Sequence, residues 1–229
     1  MSDRDERTPF SRKKRWALAA AGALAVTGAL AATPLVGGAA AAEGPTCSSL
    51  HLVIARGTTE FGPYGFIVGD NLFPAVKAKV PDATAAAVDY PANFDASSPR
   101  LGNQAVVDHL TTRSAQCPNE RYALVGYSQG AQIVNAALSV DTTGTINGFP
   151  PVAVLPQALN PRIASIVFYG NPLKSVSRPV PPAFQDRVLD NCAGGDPVCE
   201  AGAFNIIAHL SYGLNGDIAK GADFIAAHP

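Results

Sequence analysis

Charged residues are scarce in this chain of 229 residues: Asp, Glu, Lys and Arg together make up 15%, and the formal net charge is −1. A charge content this low excludes the strongly acidic or basic disordered proteins. No basic stripe occurs beyond the N-terminus, which argues against nucleic-acid binding. The 19 prolines and 21 glycines follow no period, so the chain is neither collagen-like nor a repeat array.

Long hydrophobic runs are also scarce. The longest one lies near the N-terminus. Six basic residues precede an Ala-rich apolar segment over residues 16–32, and small residues continue to Ala42. This order predicts a secretory signal peptide over residues 1–42 that is removed on export. The alternative is a membrane anchor, but the apolar core falls short of the about 20 residues that a span needs. We therefore expect a secreted protein with one domain over residues 43–229 and no integral membrane span in its mature form.

Strand-like and helix-like segments alternate along the rest of the chain. Strands are predicted for the short apolar runs at 50–55, 83–88, 122–125, 163–169 and 187–189. Helices are predicted for the periodic segments at 70–80, 103–116, 131–140 and 217–227. Turn residues predict loops over 91–101 and 141–162. Such an alternation indicates a single α/β domain with a largely parallel sheet and helices on both faces.

The four cysteines all follow the predicted signal peptide: Cys47, Cys117, Cys192 and Cys199. An even number in an exported chain indicates two disulfides, for which three connectivities exist. Proximity favours Cys192–Cys199, and the pair Cys47–Cys117 then follows. The alternative is a zinc site, which is disfavoured because the sequence has no C-x2-C pair and no histidine nearby.

The motif G-x-S-x-G occurs at residues 126–130, between the apolar run YALV and the helix-forming run AQIVNAAL. A nucleophile elbow requires this strand–turn–helix context. Glycines in the motif remove Cβ atoms that would collide with the strand and the helix, and the hydroxyl of Ser128 then stands clear of the sheet. The N–H of Gln129 is predicted to point into the same space as an oxyanion donor. The alternative is a glycine-rich turn with an idle serine.

A serine nucleophile needs a base and an orienting acid, and in the α/β-hydrolase order both follow the serine. His228 is the penultimate residue, so His209 is the predicted base. Asp196 is the first candidate for the acid, because a disulfide ring between Cys192 and Cys199 would make its loop rigid. Asp190, at the end of the last predicted strand, is the second candidate.

The loop after the first predicted strand, RGTTE at 56–60, is where a second oxyanion donor is expected. Thr58 offers both its N–H and its hydroxyl, although the residue types alone fit a simple turn equally well. Apolar side chains from two other loops are expected near the site, some of them with an ordinary core role: Phe94, Leu101, Phe204, Ile206 and Ile207.

Four sequence blocks resemble the cutinases, small secreted serine esterases of the α/β-hydrolase class, over roughly residues 45–227. The blocks are ARGTTE at 55–60, GYSQG at 126–130, CAGGDPVC at 192–199 and HLSYG at 209–213. The resemblance implies the nucleophile Ser128, the acid Asp196 and the base His209. It also implies the oxyanion donors Thr58 and Gln129 and the disulfides Cys47–Cys117 and Cys192–Cys199. The implied fold is an α/β-hydrolase-type three-layer sandwich with about five mostly parallel strands and no large lid.

The resemblance implies a secreted carboxylic-ester hydrolase that forms an acyl-enzyme and needs no metal or organic cofactor. The long loop over 141–162 looks more like the bacterial branch, whose members also cleave lipid and other esters. The expected partner is an ester substrate, whether a polyester, a lipid or a short-chain acyl ester, and the enzyme is expected to be a monomer. Alternatives of the same fold are a lipase, a phospholipase or an acetylxylan esterase. A non-catalytic secreted surface protein is a further alternative, against which the order of the three triad residue types argues.

Overall fold

The computed structural model describes residues 45–229, and the predicted signal peptide over 1–42 lies outside them. The strands are β1 (Leu50–Ala55), β2 (Thr84–Ala87), β3 (Arg121–Tyr127), β4 (Ile163–Tyr169) and β5 (Val188–Asn191). The helices are α1 (Asp70–Lys77), α2 (Ser98–Gln116), α3 (Gln129–Ala137), α4 (Pro172–Ser175), α5 (Ile206–His209) and α6 (Asp217–Ala227). A π-helical turn at Gly65–Gly69 leads into α1, and 3-10 turns at Gln157–Arg162 and Pro182–Arg187 precede β4 and β5.

The five strands form one sheet in the order β2-β1-β3-β4-β5, and every neighbouring pair is parallel. Strands β1 and β3 pair from Leu50 with Arg121 to Ala55 with Gly126. The chain changes direction across the sheet between β1 and β3, and parallel sheets bind ligands beside the carboxyl ends of the strands at such a switch point. The loops that follow β1 and β3 therefore meet at one edge of the sheet.

Two apolar clusters cover the two faces of the sheet. Side chains along a strand alternate between the faces, so neighbouring residues of one strand enter different clusters. One cluster joins the sheet to α2 and α3 and includes Val53, Leu124, Ile166, Val106 and Ile133. The other joins the sheet to α1 and α6 and includes Leu52, Val125, Val167, Leu72 and Ile225. These layers confirm the predicted three-layer α/β-hydrolase-type sandwich.

Some predicted boundaries were wrong. Helix α2 begins at Ser98 rather than at residue 103, inside the segment predicted as a loop. The turn-like composition hid this start, although Pro99 suits a first helical turn because the N–H groups there have no partner within the helix. Helices α4 and α5 were not predicted, since four residues are too few to show a helical period. The end of the predicted loop over 141–162 forms a 3-10 turn.

Both expected disulfides are present in the structure. Cys47–Cys117 ties the segment before β1 to the end of α2, and Cys192–Cys199 closes a ring directly after β5. This connectivity excludes the other two pairings and the alternative of a zinc site. Within residues 45–229, none of the helices has the length and the apolar character that crossing a membrane requires.

Candidate active site

Ser128 lies between β3 and α3 with φ 55° and ψ −118°, a conformation that residues with a side chain rarely adopt. Two backbone hydrogen bonds hold it there. The N–H of Ser128 donates to the carbonyl of Tyr169 in β4 at 2.9 Å, and its carbonyl accepts from the N–H of Ala131 at 3.0 Å. Hydrogen bonds to both the sheet and the helix therefore maintain this strained conformation. The conformation places Ser128 at the carboxyl edge of the sheet.

The glycines beside Ser128 are required by close approach of neighbouring backbone. A Cβ atom on Gly126 would lie 2.6 Å from the Cα of Ala131 in α3. A Cβ atom on Gly130 would collide with the carbonyl oxygen of Ala55 in β1. The spacing of the motif thus follows from the packing of α3 against β1 and β3, as the sequence predicts.

His209, the last residue of α5, lies between Ser128 and Asp196. Its Nε2 is 3.0 Å from the Oγ of Ser128, and its Nδ1 is 2.9 Å and 3.0 Å from the two carboxylate oxygens of Asp196. Because an ionised carboxylate can only accept, Nδ1 donates to Asp196, and in the neutral imidazole the lone pair is then on Nε2, facing the serine hydroxyl. Asp190, the second candidate for the acid, instead accepts from the side-chain amide of Asn171 at 3.0 Å.

Asp196 is fully buried and accepts hydrogen bonds from two further groups. The N–H of Val198 donates at 2.8 Å and the hydroxyl of Tyr212 at 2.6 Å. Burial alone would raise the pKa of Asp196, but the hydrogen bonds from His209, Tyr212 and Val198 outweigh it and hold the pKa below its usual range. The carboxylate is therefore charged at neutral pH and can stabilise a positive imidazole.

The imidazole of His209 packs closely against two residues. The ring of Tyr127 stacks on it with a centroid distance of 5.0 Å, and the hydroxyl of Tyr127 donates to the carbonyl of His209 at 2.8 Å. Gly170 also lies close to the imidazole, since a Cβ atom there would be 2.6 Å from the Cε1 of His209. This packing leaves the ring little freedom to turn away from Ser128.

The predicted oxyanion donors Thr58 and Gln129 line the same cavity as Ser128 and His209. Gln129 begins α3, so its backbone N–H has no partner within the helix. The side chain of Gln129 is occupied elsewhere: its Oε1 accepts from the Oγ of Ser98 at 3.0 Å, and its Nε2 donates to the carbonyl of Asn93 at 2.9 Å. The backbone N–H is thus the group of Gln129 that remains for a bound oxyanion.

The buried carboxylate of Glu60 shapes the loop that carries Thr58. It accepts from the N–H of Gly57 at 2.5 Å and from the N–H of Ile67 at 2.8 Å. Burial is the largest influence and raises the pKa of Glu60, although the two N–H groups act in the opposite direction. Arg56 spans the loop as well, since its Nε donates to the carbonyl of Glu60 at 3.2 Å. Glu60 belongs to the block ARGTTE, but nothing in that block indicates the contacts of its carboxylate with Gly57 and Ile67.

The cavity has a volume of about 400 Å³ and opens to solvent. Exposed apolar side chains stand on its walls: Phe94, Ile146 and Ile206. Of the apolar residues expected here, Phe94 and Ile206 line the cavity, whereas Leu101, Phe204 and Ile207 are exposed but do not line it. Tyr212 had no predicted role. Its only signal in the sequence is its place in the HLSYG block, three residues after His209.

Comparison with known proteins gives consistent results. The family model "Cutinase" matches residues 46–228. A cutinase from Kineococcus radiotolerans is 36% identical over 187 residues, which cover 79% of this chain and 62% of that relative, so the chain spans less than two thirds of its length. A cutinase from Botryotinia fuckeliana is 31% identical over 188 residues, which cover 80% of this chain and 84% of the relative.

A solved structure with a similar fold is the catalytic core domain of an acetyl xylan esterase from Trichoderma reesei. The TM-score is 0.68 at 24% identity, and the match covers 80% of this chain and 100% of the other. At this identity the likeness shows the fold alone. The match to the family model, together with the two cutinase relatives, decides the family. The chain belongs to the cutinase family, a family of serine ester hydrolases.

Proposed function

We propose that the protein is a secreted carboxylic-ester hydrolase that uses Ser128, His209 and Asp196 as a catalytic triad and passes through an acyl-enzyme. The observation that carries the proposal is the position of His209. Its imidazole is 3.0 Å from the serine hydroxyl on one side and 2.9 Å from the nearer carboxylate oxygen on the other. This arrangement has the geometry of a nucleophile, a base and a group that orients the base.

Acylation begins when the Oγ of Ser128 attacks the carbonyl carbon of the ester and its proton passes to the Nε2 of His209. The charged Asp196 stabilises the imidazolium that forms. The carbonyl oxygen becomes an oxyanion, which accepts from the N–H of Gln129 and from Thr58, with the positive end of α3 behind it. The intermediate then collapses, the ester C–O bond breaks, and the alcohol leaves with the proton from His209.

Deacylation repeats these steps with water. His209 takes a proton from a water molecule, whose oxygen attacks the carbonyl carbon of the acyl-enzyme. The bond between that carbon and the Oγ of Ser128 breaks, and His209 returns the proton to the serine. All protons move between His209, the serine, the substrate and the attacking water, so the sequence of steps balances without a metal or an organic cofactor.

The walls of the cavity favour esters with apolar chains. Phe94, Ile146 and Ile206 present exposed apolar surface beside Ser128, and no large lid covers the site among the described residues. A polyester, a lipid or a short-chain acyl ester could approach such an open cleft. Turnover of a chain-length series of p-nitrophenyl esters, compared with a polyester and a phospholipid, distinguishes an esterase from a lipase or phospholipase.

The test of the triad is hydrolysis of p-nitrophenyl butyrate. We expect rapid turnover, with an initial burst of p-nitrophenol equal to the enzyme concentration if deacylation is slow. Ser128→Ala is expected to abolish both the turnover and the burst. Ser114→Ala, near the C-terminal end of α2, is the matched control that retains both. If the Ser128→Ala variant turned over the ester as fast as the parent, Ser128 would not be the nucleophile. No turnover by the parent would favour a non-catalytic surface protein.

Export and the monomeric state are part of the same proposal. The two disulfides support export, because such bonds persist in oxidising compartments. We expect the protein in the culture medium, with an N-terminus near residue 43 and the elution volume of a monomer. Recovery in the membrane fraction with residues 1–42 attached would indicate an anchor instead.

A further inference from the structure

Gln132 lies one turn of α3 beyond Ser128 and lines the active-site cavity with 1% of its surface exposed. Its N–H donates to the carbonyl of Ser128 at 3.2 Å, so the two residues are joined by a helical turn. Both residues line the same cavity. The side chain of Gln132 therefore forms a buried, polar part of the wall close to the proposed nucleophile.

The orientation of the Gln132 amide is fixed by its neighbours. Its Nε2 donates to the Oγ1 of Thr145 at 2.9 Å and to the carbonyl of Ile146 at 3.2 Å. The carbonyl of Ile146 can only accept, and the hydroxyl of Thr145 already donates its one proton to the carbonyl of Thr142 at 2.8 Å. Both partners therefore require the NH2 group on their side, and the amide cannot be turned round.

The carbonyl oxygen of Gln132 consequently lies on the other side of the amide from Thr145 and Ile146, in a residue that borders the cavity. No donor within residues 45–229 reaches this Oε1, and it is not among the polar atoms that are sealed away from solvent. An acceptor that borders a binding cavity and has no protein partner is free to bind a donor on the substrate. An apolar group that covers it removes its water and supplies nothing in return, which costs affinity.

The stereochemistry of the reaction indicates which part of the ester meets this oxygen. In the tetrahedral intermediate, the carbonyl carbon carries the Oγ of Ser128, the oxyanion near Thr58 and Gln129, the leaving oxygen near His209, and the acyl chain. The first three directions are taken by the reacting groups. Gln132 borders the cavity beside Thr145 and Ile146. An acyl chain that runs along this wall passes the carbonyl oxygen of Gln132.

We propose that the Oε1 of Gln132 accepts a hydrogen bond from a hydroxyl group on the acyl chain, so that the site prefers esters of short hydroxy acids. The inference rests on the esterase function proposed above. The N–H of Gln132 donates to the carbonyl of Ser128, so Gln132 lies close to the nucleophile and the hydroxyl belongs on one of the first carbons of the chain. A 3-hydroxyacyl ester is the matching probe.

The experiment compares kcat/KM for the p-nitrophenyl esters of 3-hydroxybutyrate, 3-methoxybutyrate and butyrate. The methoxy group withdraws electrons as the hydroxyl does but cannot donate a hydrogen bond. One neutral hydrogen bond corresponds to roughly 3–10-fold, so we expect 3-hydroxybutyrate to exceed 3-methoxybutyrate by about fivefold. Gln132→Met keeps the length of the side chain without its oxygen, and it is expected to bring that ratio to about one.

Two further variants make the result specific. Thr145→Val removes an acceptor that orients the amide, and we expect the hydroxyl preference to fall at least about twofold. Gln104→Met, on the exposed side of α2, is the matched control that keeps the parent ratio. A ratio near one in the parent, or an unchanged ratio in Gln132→Met or in Thr145→Val, overturns the inference. If butyrate is still hydrolysed in a Ser128-dependent way, the esterase function stands and only the hydroxyl preference fails. Absence of Ser128-dependent turnover on all three esters overturns both.

Discussion

The hydroxyl of Tyr212 donates to the carboxylate of Asp196 over 2.6 Å. Tyr212 is fully buried, and its oxygen also accepts from the N–H of Ala193 at 3.0 Å. Burial, followed by the bond to Asp196, raises the pKa of Tyr212, so the hydroxyl keeps its proton and acts as a donor. The oxygen of Asp196 that it contacts is also the one nearer to His209. Tyr212 is therefore a positioning residue that acts on the proposed base through the proposed acid.

Tyr212→Phe removes this donor while it preserves the ring. We expect kcat to fall about tenfold with little change in KM, because a hydrogen bond to a charged group is lost. The pKa of Asp196 is expected to rise toward its usual range, because the charged carboxylate loses one of its hydrogen-bond donors. Tyr122→Phe, at the amino-terminal end of β3 and away from the active site, is the control that is expected to keep kcat. A Tyr212→Phe enzyme with an unchanged kcat would show that Tyr212 serves packing alone.

Thr58→Ala tests the second oxyanion donor. The hydroxyl of Thr58 is proposed to bond a charge that exists only in the transition state, so its loss should lower kcat and leave KM nearly constant. One such donor is worth roughly 10²–10³ in kcat. Steady-state kinetics on p-nitrophenyl butyrate measure the effect, and Thr58→Ser should retain most of the activity. An alanine variant within about threefold of the parent would contradict the assignment.

The local sequence was sufficient to predict Ser128 as the nucleophile, because a strand, two glycines and a helix-forming run meet within a few residues. The positions of His209 and Asp196 came from chain order and from the cysteine ring. Tyr212 and Gln132 were not predicted to contribute, since their roles depend on contacts between distant segments. Nothing near Gln132 in the chain indicates that Thr145 orients its amide. The predicted start of a helix was wrong where turn-like residues begin it, as at Ser98. Helices of only one turn were not predicted.

Glu60→Gln tests the support of the oxyanion loop. The carboxylate accepts from two backbone N–H groups, those of Gly57 and Ile67. An amide has one carbonyl oxygen and one NH2 group, so one of the two N–H groups would face a donor. We expect the loop that carries Thr58 to shift and kcat to fall about tenfold while KM stays within a factor of two.

The matched control for Glu60→Gln is Asp82→Asn. That carboxylate also accepts from a backbone N–H, that of Ser49, but it lies outside the active site. Equal small effects of both substitutions on kcat would mean that the carboxylate of Glu60 does not position the oxyanion loop. A large rise in KM at constant kcat would point instead to a role in binding the substrate.

A histidine pair between β1 and α2, in which His51 is buried and His109 half-buried, is expected to make stability depend on pH. The Nε2 atoms of His51 in β1 and His109 in α2 are 3.0 Å apart, and Thr84 bonds the other nitrogen of His51. Burial, aided by the charge of Arg113, lowers the pKa of His51 to about 4, and the same two causes lower the pKa of His109. Glu120 opposes this shift but is held by a salt bridge to Arg113.

Unfolded histidines titrate near ~6.5, so between that pH and about 4 the unfolded chain binds more protons than the folded one. The free energy of unfolding should therefore fall as the pH is lowered through this window. Urea unfolding at several pH values measures the slope, and His51→Gln/His109→Gln should reduce it. Buried carboxylates with raised pKa act in the opposite direction, so the difference between parent and variant is the quantity to compare. An identical slope in both proteins would show that the pair does not titrate differently on folding.

The two disulfides are expected to separate stability from catalysis. Cys47–Cys117 joins residues that are 70 positions apart, whereas Cys192–Cys199 joins residues 7 positions apart. The chain-entropy model gives roughly 4 kcal/mol for the larger loop and roughly 2–3 kcal/mol for the smaller one. Cys47→Ser/Cys117→Ser should therefore lower the melting temperature more than Cys192→Ser/Cys199→Ser does.

The small ring should matter more for kcat, because it contains Asp196. Opening it frees a loop with two adjacent glycines, and the carboxylate can then take many positions relative to His209. Kinetics are compared well below both melting temperatures, with circular dichroism to show that each variant is folded. We expect the small-ring variant to lose kcat and the large-ring variant to keep it. If the small-ring variant keeps full kcat while folded, the hydrogen bonds from Tyr212 and Val198 suffice to hold Asp196, and the disulfide serves stability alone.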